Sequence, residues 1–502
     1  VSDAHSILIA GSLMAAALAA SLLAGRLQVP SLLLFLGLGM VVGSDALGWI
    51  HFDDYELART IGVIALALIL FEGGLSTPMG ELRPVLPTAA SLASVGTAVT
   101  AVITGLVAKV LFDLSLLEAL LLGSIVSSTD GAAIFAVLRN SRLRPRVART
   151  LESESGLNDP IAVLLVVGLI DWIQEPGYGL VDFTWLFAKE LGIGLVIGIA
   201  VGVLGLQALR RLRLGGEAAY PIATLTTAAL AYGGAASLDG SGFLAVYVAG
   251  LILASNPFPA QHAATVFHQG VAGLAQVSMF LVLGLLVFPS QLWDVAAEGT
   301  VLALVLTFAA RPIATFIATA GSQFDVREKI VLGWAGLRGA VPVVLATFPV
   351  IADVPDSLRY FNIVFFAVLF STVLQGTTFE RLSEGLGITQ RAGPRDLPPR
   401  RVGMGSAQVA TVGPWEPEDG NPAYPRQVRG VRVKRQITTR LDGPGALIEL
   451  EDGRYAFTGE IAAVGSARAV QQLARRRLSR AESDEEVAWW RDVIGSLARG
   501  GD

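Results

Sequence analysis

The sequence predicts an all-α polytopic membrane protein of about thirteen transmembrane helices, with a small α+β domain at its C-terminal end. Three observations predict it. First, 53% of the 502 residues are hydrophobic and 16% are charged, with a mean hydropathy of +0.60; ordinary soluble domains carry about 25% charged residues. Second, Leu, Ala, Val and Ile occur in runs of about 20, the length a helix needs to cross the ~30 Å hydrocarbon core. A transmembrane barrel would instead show alternating segments of ~10 residues. Third, charge divides along the chain. Residues 1–390 hold 19 basic and 27 acidic side chains (net -8), and residues 391–502 hold 18 and 15 (net +3). This composition excludes an ordinary soluble enzyme, a disordered chain and a nucleic-acid binder. There is no cysteine, hence no disulfide, thiolate metal site or redox switch. The four histidines, His5, His51, His262 and His268, show no metal-ligand spacing along a helical face. No resident cofactor is expected.

The first span, 6–25, has no basic run ahead of it and is long enough to cross, so it reads as a span and not as a cleaved signal. Val1 in place of methionine points to a trimmed start. Next come 30–48, then 57–75 with the isolated carboxylate Glu72, 85–111, 117–138, 149–173 and 185–209. Spans 219–238 and 242–255 are parted only by a short break at Ser241-Gly242, and a single bent helix is the alternative there. The series closes with 268–288, 296–320 (interrupted at Arg311-Pro312), 329–350 and 358–385. With the N-terminus outside, inner loops collect thirteen basic residues: Arg26, Arg83, Arg139, Arg142, Arg144, Arg146, Arg149, Arg210, Arg211, Arg213, Arg327, Lys329 and Arg381. Outer loops collect four, Arg59, Lys109, Lys189 and Arg359. That bias sets the orientation and an odd number of spans. The C-terminal part is then cytoplasmic, and the protein sits in a plasma membrane.

Residues 391–425, rich in Gly and Pro, read as a linker. Within 426–502, stretches 427–441 and 446–458 alternate as short strands, joined by Asp442-Gly443-Pro444-Gly445, with a further turn at Asp452-Gly453. Stretches 459–480 and 483–498 read as helices, the second opened by a Ser483/Glu486 capping box. Arg475, Arg476, Arg477 and Arg480 make a solvated helix face or a contact with anionic headgroups. No ligand of this small domain is legible.

Ionisable residues inside apolar spans each cost at least ~2.5 kcal/mol and are functional candidates by default. The fifth span contains Ser127-Ser128-Thr129-Asp130-Gly131, whose hydroxyls and glycine weaken a helix and free carbonyls. Such a break is tolerated only where protein or a water-filled cavity covers it. Carbonyl and hydroxyl oxygens beside a carboxylate suit a hard monovalent cation; the plainer alternative is that Asp130 only caps a half-helix. The sixth span opens with Leu151-Glu152-Ser153-Glu154-Ser155-Gly156-Leu157-Asn158-Asp159-Pro160. Glu152, Ser155 and Asp159 share one helical face, and Glu154 and Asn158 a second. Asp159 lies deepest, and Pro160 frees a carbonyl one turn earlier. Glu152 and Glu154 could alternatively pair with the basic cluster 139–149. The twelfth span, through Gly333-Trp334-Ala335-Gly336-Leu337-Arg338-Gly339-Ala340-Val341-Pro342, is broken and carries a lone guanidinium that needs an anion. Glu154 is the assigned partner, since Asp130 and Asp159 are needed for the ion. Arg311-Pro312 could neutralise a helix end. The two broken helices stand seven spans apart, which points to inverted repeats with a transport site between them, built from spans 4–6 and 11–13.

These three segments resemble the bacterial NhaP-type monovalent cation/proton antiporters. The strings ESESGLNDP and GWAGLRGAVP look most like the CvrA-type potassium/proton branch. The resemblance covers roughly residues 5–385. It implies a homodimer of thirteen-helix subunits, each with a dimerisation part and a six-helix core that moves like an elevator. Carried over, it makes Asp159 the cation- and proton-binding carboxylate. Asp130, the Thr129 backbone and Ser155 assist it, Glu72 contributes nearby, and the monovalent cation sits at Asp159 and Asp130. Glu154 and Arg338 form a structural ion pair, and Asn158 fills the place where electrogenic relatives carry a second Asp. Gly131 stands where many relatives have Pro, which bears on rigidity and ion preference.

The expected chemistry is competition at one carboxylate. Burial favours its protonated form and a bound cation its ionised form. With one titrating group at the Asn158-Asp159 pair, exchange of K⁺ (favoured) or Na⁺ for H⁺ is electroneutral. Three rivals were open to the same residues. A channel would need a continuous pore and filter repeats, which the sequence lacks. An intramembrane aspartyl protease would use Asp130 and Asp159 as a dyad, a role that Asn158, Pro160 and Arg338 do not suit. The third is a transporter-like sensor signalling through the cytosolic tail. The excess of Arg over Lys (33 to 4) fits a bacterial, GC-rich source.

Overall fold

In a computed structural model of the chain, the described residues are 3–27, 31–129, 143–211, 216–389, six short strands beyond residue 409, and residue 490. The chain divides into two units, Val1–Gln390 and Arg391–Asp502.

Among the described residues of the first unit, eight helices are long and apolar enough to cross a membrane. Their spans are Ile7–Ala24, Tyr55–Leu75, Leu86–Phe112, Pro145–Gln174, Leu180–Arg211, Gln261–Leu285, Pro289–Ala318 and Ser357–Gly385. Four shorter apolar helices, Ser31–Val42, Leu116–Ile125, Gly242–Ala254 and Ala340–Ile351, pack among them. A contiguous apolar core runs from Ala17 to Ile388. The eighth and ninth sequence segments form two helices, Ala219–Ala236 and Gly242–Ala254. Ser241 has extended backbone, and its hydroxyl accepts from the Leu244 N–H at 3.3 Å, so a new helix starts there and the bent-helix alternative falls.

The second predicted break is seen whole, and at the first the helix ends where the break is expected, the residues from 130 to 142 lying outside the described residues. Leu116–Ile125 stops at Val126, and Ser128 and Thr129 follow in non-helical backbone. Val326–Trp334 stops at Ala335, and the chain runs non-helically through Gly336–Gly339 before Ala340–Ile351 resumes. Leu116–Ile125 and Val326–Trp334 each open with a reciprocal capping box, Ser115 with Glu118 and Asp325 with Glu328. The eleventh segment is not interrupted at Arg311-Pro312. A π-turn at Leu306–Ala310 widens the helix one turn earlier and accommodates the proline, which has no N–H to offer. Pro160 likewise lies inside one continuous helix, Pro145–Gln174.

Glycine sets how closely the first broken helix packs. A Cβ on Gly123 would fall 2.1 Å from the Ala101 carbonyl oxygen and 2.9 Å from the Gly105 Cα, so this backbone contact excludes even a methyl group. Gly123→Ala is expected to cost about 1–3 kcal/mol through forced separation of the two helices. Thermal melting in detergent reads it as a clear drop in Tm; an unchanged Tm refutes the contact.

The second unit holds a six-stranded antiparallel sheet of order β1-β6-β5-β4-β3-β2. Its strands are β1 Ala410–Thr411, β2 Gln427–Val428, β3 Val431–Gln436, β4 Gly445–Leu450, β5 Tyr455–Gly459 and β6 Ala463–Gly465. β4 and β5 pair in regular antiparallel register, Gly445 opposite Gly459 through Glu449 opposite Tyr455, and the turn expected at Asp452-Gly453 lies outside the described residues. Two expectations are corrected. β1 lies inside the stretch read as linker, and β6 replaces the start of the helix expected over 459–480. Gly465 ends that run, and the free edge of β5 offers pairing that outweighs local helix preference. The remainder of the two expected helices, apart from residue 490, lies outside the described residues.

Candidate cation and proton site

Pro145–Gln174 carries an unusual load of buried polar side chains: Thr150, Ser153, Glu154, Ser155, Asn158 and Asp159. Thr150 and Ser153 turn back on their own helix, donating to the carbonyls of Arg146 and Arg149 at 2.8 and 2.6 Å. The others are shared between the two faces that the helical period separates.

On the first face, Glu152, Ser155, Gly156 and Asp159 line a small cavity with about 20 Å³ open to the centre of a water molecule. That is room for one or two waters or a bare monovalent ion. Leu66, Ile69, Leu70 and Gly73 of Tyr55–Leu75 complete it with Tyr247, Met279 and Val341. Asp159 is 2% exposed in this mostly apolar setting, and a cation beside it would offset part of the cost of burying its charge. Pro160 leaves the Gly156 carbonyl without its usual helical donor, at the cavity wall. A side chain on Gly156 would strike the Tyr247 ring, 2.6 Å from its Cβ.

Ser155, on the first face, and Asn158, on the second, together hold the segment that follows Leu116–Ile125. The Ser155 hydroxyl donates to the Thr129 carbonyl at 2.7 Å, and the Asn158 amide donates to the Thr129 hydroxyl at 2.5 Å. Thr129 is thus fixed through both its backbone and its side chain. Asp130 lies outside the described residues. Glu72 accepts from the Ser76 hydroxyl at 2.7 Å; its neighbour Gly73 lines the cavity, whereas Glu72 is not among the lining residues.

The two breaks meet through Arg338. Its Nη1 donates to the Ser127 and Ser128 carbonyls at 2.7 and 2.6 Å. A cation therefore sits on the carbonyl end of the Leu116–Ile125 half-helix, where the backbone dipole is negative. The second break is secured by Ser357–Gly385. The Arg338 N–H donates to Ser371 Oγ at 3.2 Å, Thr372 Oγ1 donates to the Arg338 carbonyl at 2.7 Å, and Gln375 Nε2 donates to the Trp334 carbonyl at 2.9 Å. Ser371 in turn donates to Gln375 Oε1. Sequence reasoning missed Ser371, Thr372 and Gln375. Their clustering within five residues of an otherwise apolar span was the available signal.

The ion pair at Glu154 is a correction. Its Oε1 lies 2.6 Å from Arg311 Nη2, both side chains 1–2% exposed, so the structure pairs it with Arg311 and not with Arg338. Arg311 leaves the π-turned helix aimed at Glu154, and Gly336 makes the room; a Cβ there would meet Arg311 Nε at 2.4 Å. Arg338 meanwhile is taken by the carbonyls of the first break. Glu154 remains close enough for its charge to act on Arg338. Glu152 bonds Arg149 at 2.7 Å, the alternative the basic cluster allowed.

A sequence profile described as "Sodium/hydrogen exchanger, transmembrane" matches residues 13–385. The chain is 39% identical over 425 residues to the K(+)/H(+) antiporter NhaP2 of Shewanella baltica, covering 82% of this chain and 72% of that one. It is 40% identical over 400 residues to the K(+)/H(+) antiporter NhaP of Alkalimonas amylolytica, covering 78% and 69%. In fold it is similar to the sodium proton antiporter MjNhaP1 from Methanocaldococcus jannaschii, with a TM-score of 0.66 at 24% identity, over 76% of this chain and 99% of that one.

Proposed function

The chain belongs to the sodium/hydrogen exchanger family, and from that premise we propose that it is a secondary active antiporter exchanging a monovalent cation for H⁺ by competition at Asp159. The observation that carries this is one buried carboxylate at a small, otherwise mostly apolar cavity, beside a helix break held by Ser155 and Asn158. Protonated, Asp159 is neutral and loses its hold on a cation. Ionised, it attracts one, because burial makes a net negative charge costly there. Either load can cross, and the unloaded anion is hindered, so exchange is coupled.

K⁺ is the favoured cation, in line with the names of the relatives about 40% identical, and Na⁺ the other. Thr129, Ser155 and Asp130 supply further oxygens, with Glu72 nearby. Asn158 adds no charge to the pair, so one cation leaves for one proton and transport is electroneutral. The protein acts as a homodimer of thirteen-span subunits in a bacterial plasma membrane, its N-terminus outside and its C-terminal unit cytoplasmic. The inverted halves, spans 4–6 and 11–13, move together as an elevator core. The second unit is a regulator of the first.

Purified protein in liposomes tests this. Proton flux driven by K⁺, Na⁺, Li⁺ and Rb⁺ is measured across pH, with the voltage clamped at values of either sign. K⁺ and Na⁺ are expected to drive exchange at a rate that an imposed potential leaves nearly unchanged. Steep voltage dependence overturns the one-for-one stoichiometry, and absence of cation-driven proton flux overturns the antiport reading itself.

A further inference from the structure

One basic side chain with no part in the chemistry above bonds a residue that lines the cavity. Arg149, one turn before Glu152, spans two carboxylates. Nη1 lies 2.7 Å from Glu152 Oε2, and Nη2 contacts Glu81 Oε2. The three side chains form a gradient of exposure: Glu81 is 49% exposed, Arg149 36% and Glu152 14%, leading to Asp159 at 2%. Glu152 belongs to both ends of this series. It holds Arg149 on one side, and on the other it lines the same cavity as Asp159, two turns along the same face. Glu81 comes from a different element, the short helix Met79–Leu82 that follows Tyr55–Leu75. Among the described residues, the charged groups facing Glu152 include Arg149, Glu81 and Glu72.

We propose that Arg149 is a tethered stand-in for the transported cation. Its guanidinium occupies Glu152 while the cavity mouth is empty, and an arriving monovalent cation takes Glu152 from it before passing to Asp159. The arrangement suits that exchange. A partly exposed ion pair is weak and easily remade, and Arg149 has Glu81 waiting, so releasing Glu152 strands no charge. While docked, Arg149 neutralises a carboxylate that would otherwise draw cations inward, and so sets the concentration at which the site loads. This rests on the antiport reading above, and it adds a residue that fixes apparent affinity without touching the deep site.

Opposite shifts in apparent KM are the signature. In the proteoliposome assay, Glu152→Gln removes the first carboxylate and is expected to raise KM for K⁺ roughly three- to tenfold, with a much smaller effect on the maximal rate. Arg149→Gln removes the competitor and is expected to lower KM by about a similar factor. Glu152→Asp recovers part of the loss. The double variant behaves like Glu152→Gln alone, because Arg149 acts through that carboxylate. If Glu152→Gln fails to fold, Arg149→Gln carries the test. A merely structural ion pair would lower Tm and leave KM in place, and that result, or KM shifts of the same sign in both variants, overturns the proposal. If the unaltered chain drives no exchange, the antiport reading falls and this falls with it. If the unaltered chain exchanges and Asp159→Asn does not, while both mouth variants keep the original KM, only the present inference falls.

Discussion

Asp159→Asn is expected to abolish cation-driven proton flux, by at least about two orders of magnitude, while leaving Tm close to that of the unaltered protein. The substitution keeps the size of the side chain and removes both things the mechanism uses: a titrating oxygen, and a negative charge for the cation to neutralise. Asp159 is 2% exposed and shares its cavity with few polar atoms besides Glu152 and Ser155, so no neighbour in the same position can take over. A loss of two decades corresponds to about 2.8 kcal/mol of lost stabilisation, modest for removing a charge that meets a cation away from bulk water. Flux in liposomes and melting in detergent check it together. Flux within tenfold of the unaltered protein removes Asp159 from the central role, whatever the Tm.

Arg311→Ala has the second large effect, and it falls on the fold. The Glu154–Arg311 pair is buried at both ends at 2.6 Å. Taking away the guanidinium leaves an ionisable carboxyl in the interior with only the more distant charge of Arg338, a change that costs roughly 3–5 kcal/mol when one partner of a buried pair is removed. Yield and Tm in detergent should both drop sharply. Replacing both partners, Glu154→Gln with Arg311→Met, should recover most of the loss, because no unpaired charge is then left in the interior. A single variant that melts like the unaltered protein, or a double variant worse than either single one, contradicts the pairing.

What was readable in the sequence follows from which force decides each feature. Apolar runs translate directly into helices because lipid leaves a backbone few other choices, and Ser, Gly and Pro inside such runs marked both breaks. The joint placement of Glu152, Ser155 and Asp159 at one cavity comes from helical period alone. The partner of Glu154 was not readable. Arg311 and Arg338 are both buried and both far away in sequence, and the choice between them turns on a π-turn at Leu306–Ala310 and on the space at Gly336. Neither leaves a periodic trace. The three residues that secure the second break, Ser371, Thr372 and Gln375, read as incidental polarity until a non-helical backbone is placed beside them. In the second unit, β6 went unread because a three-residue strand is specified by its neighbour β5 and not by its own composition.

The clamp of Arg338 on Ser127 and Ser128 joins residues 211 and 210 positions apart. A ribosome finishes Leu116–Ile125 long before it makes the arginine that bonds the carbonyls beyond its end. Throughout that interval two carbonyls at the end of the Leu116–Ile125 half-helix lack their final donor, in surroundings where such groups are costly. The site therefore assembles late, by docking of a newly made segment against an older one, and long-range closure of this kind is slow. A chain that ends before residue 338 lacks the donor that these two carbonyls use in the folded protein.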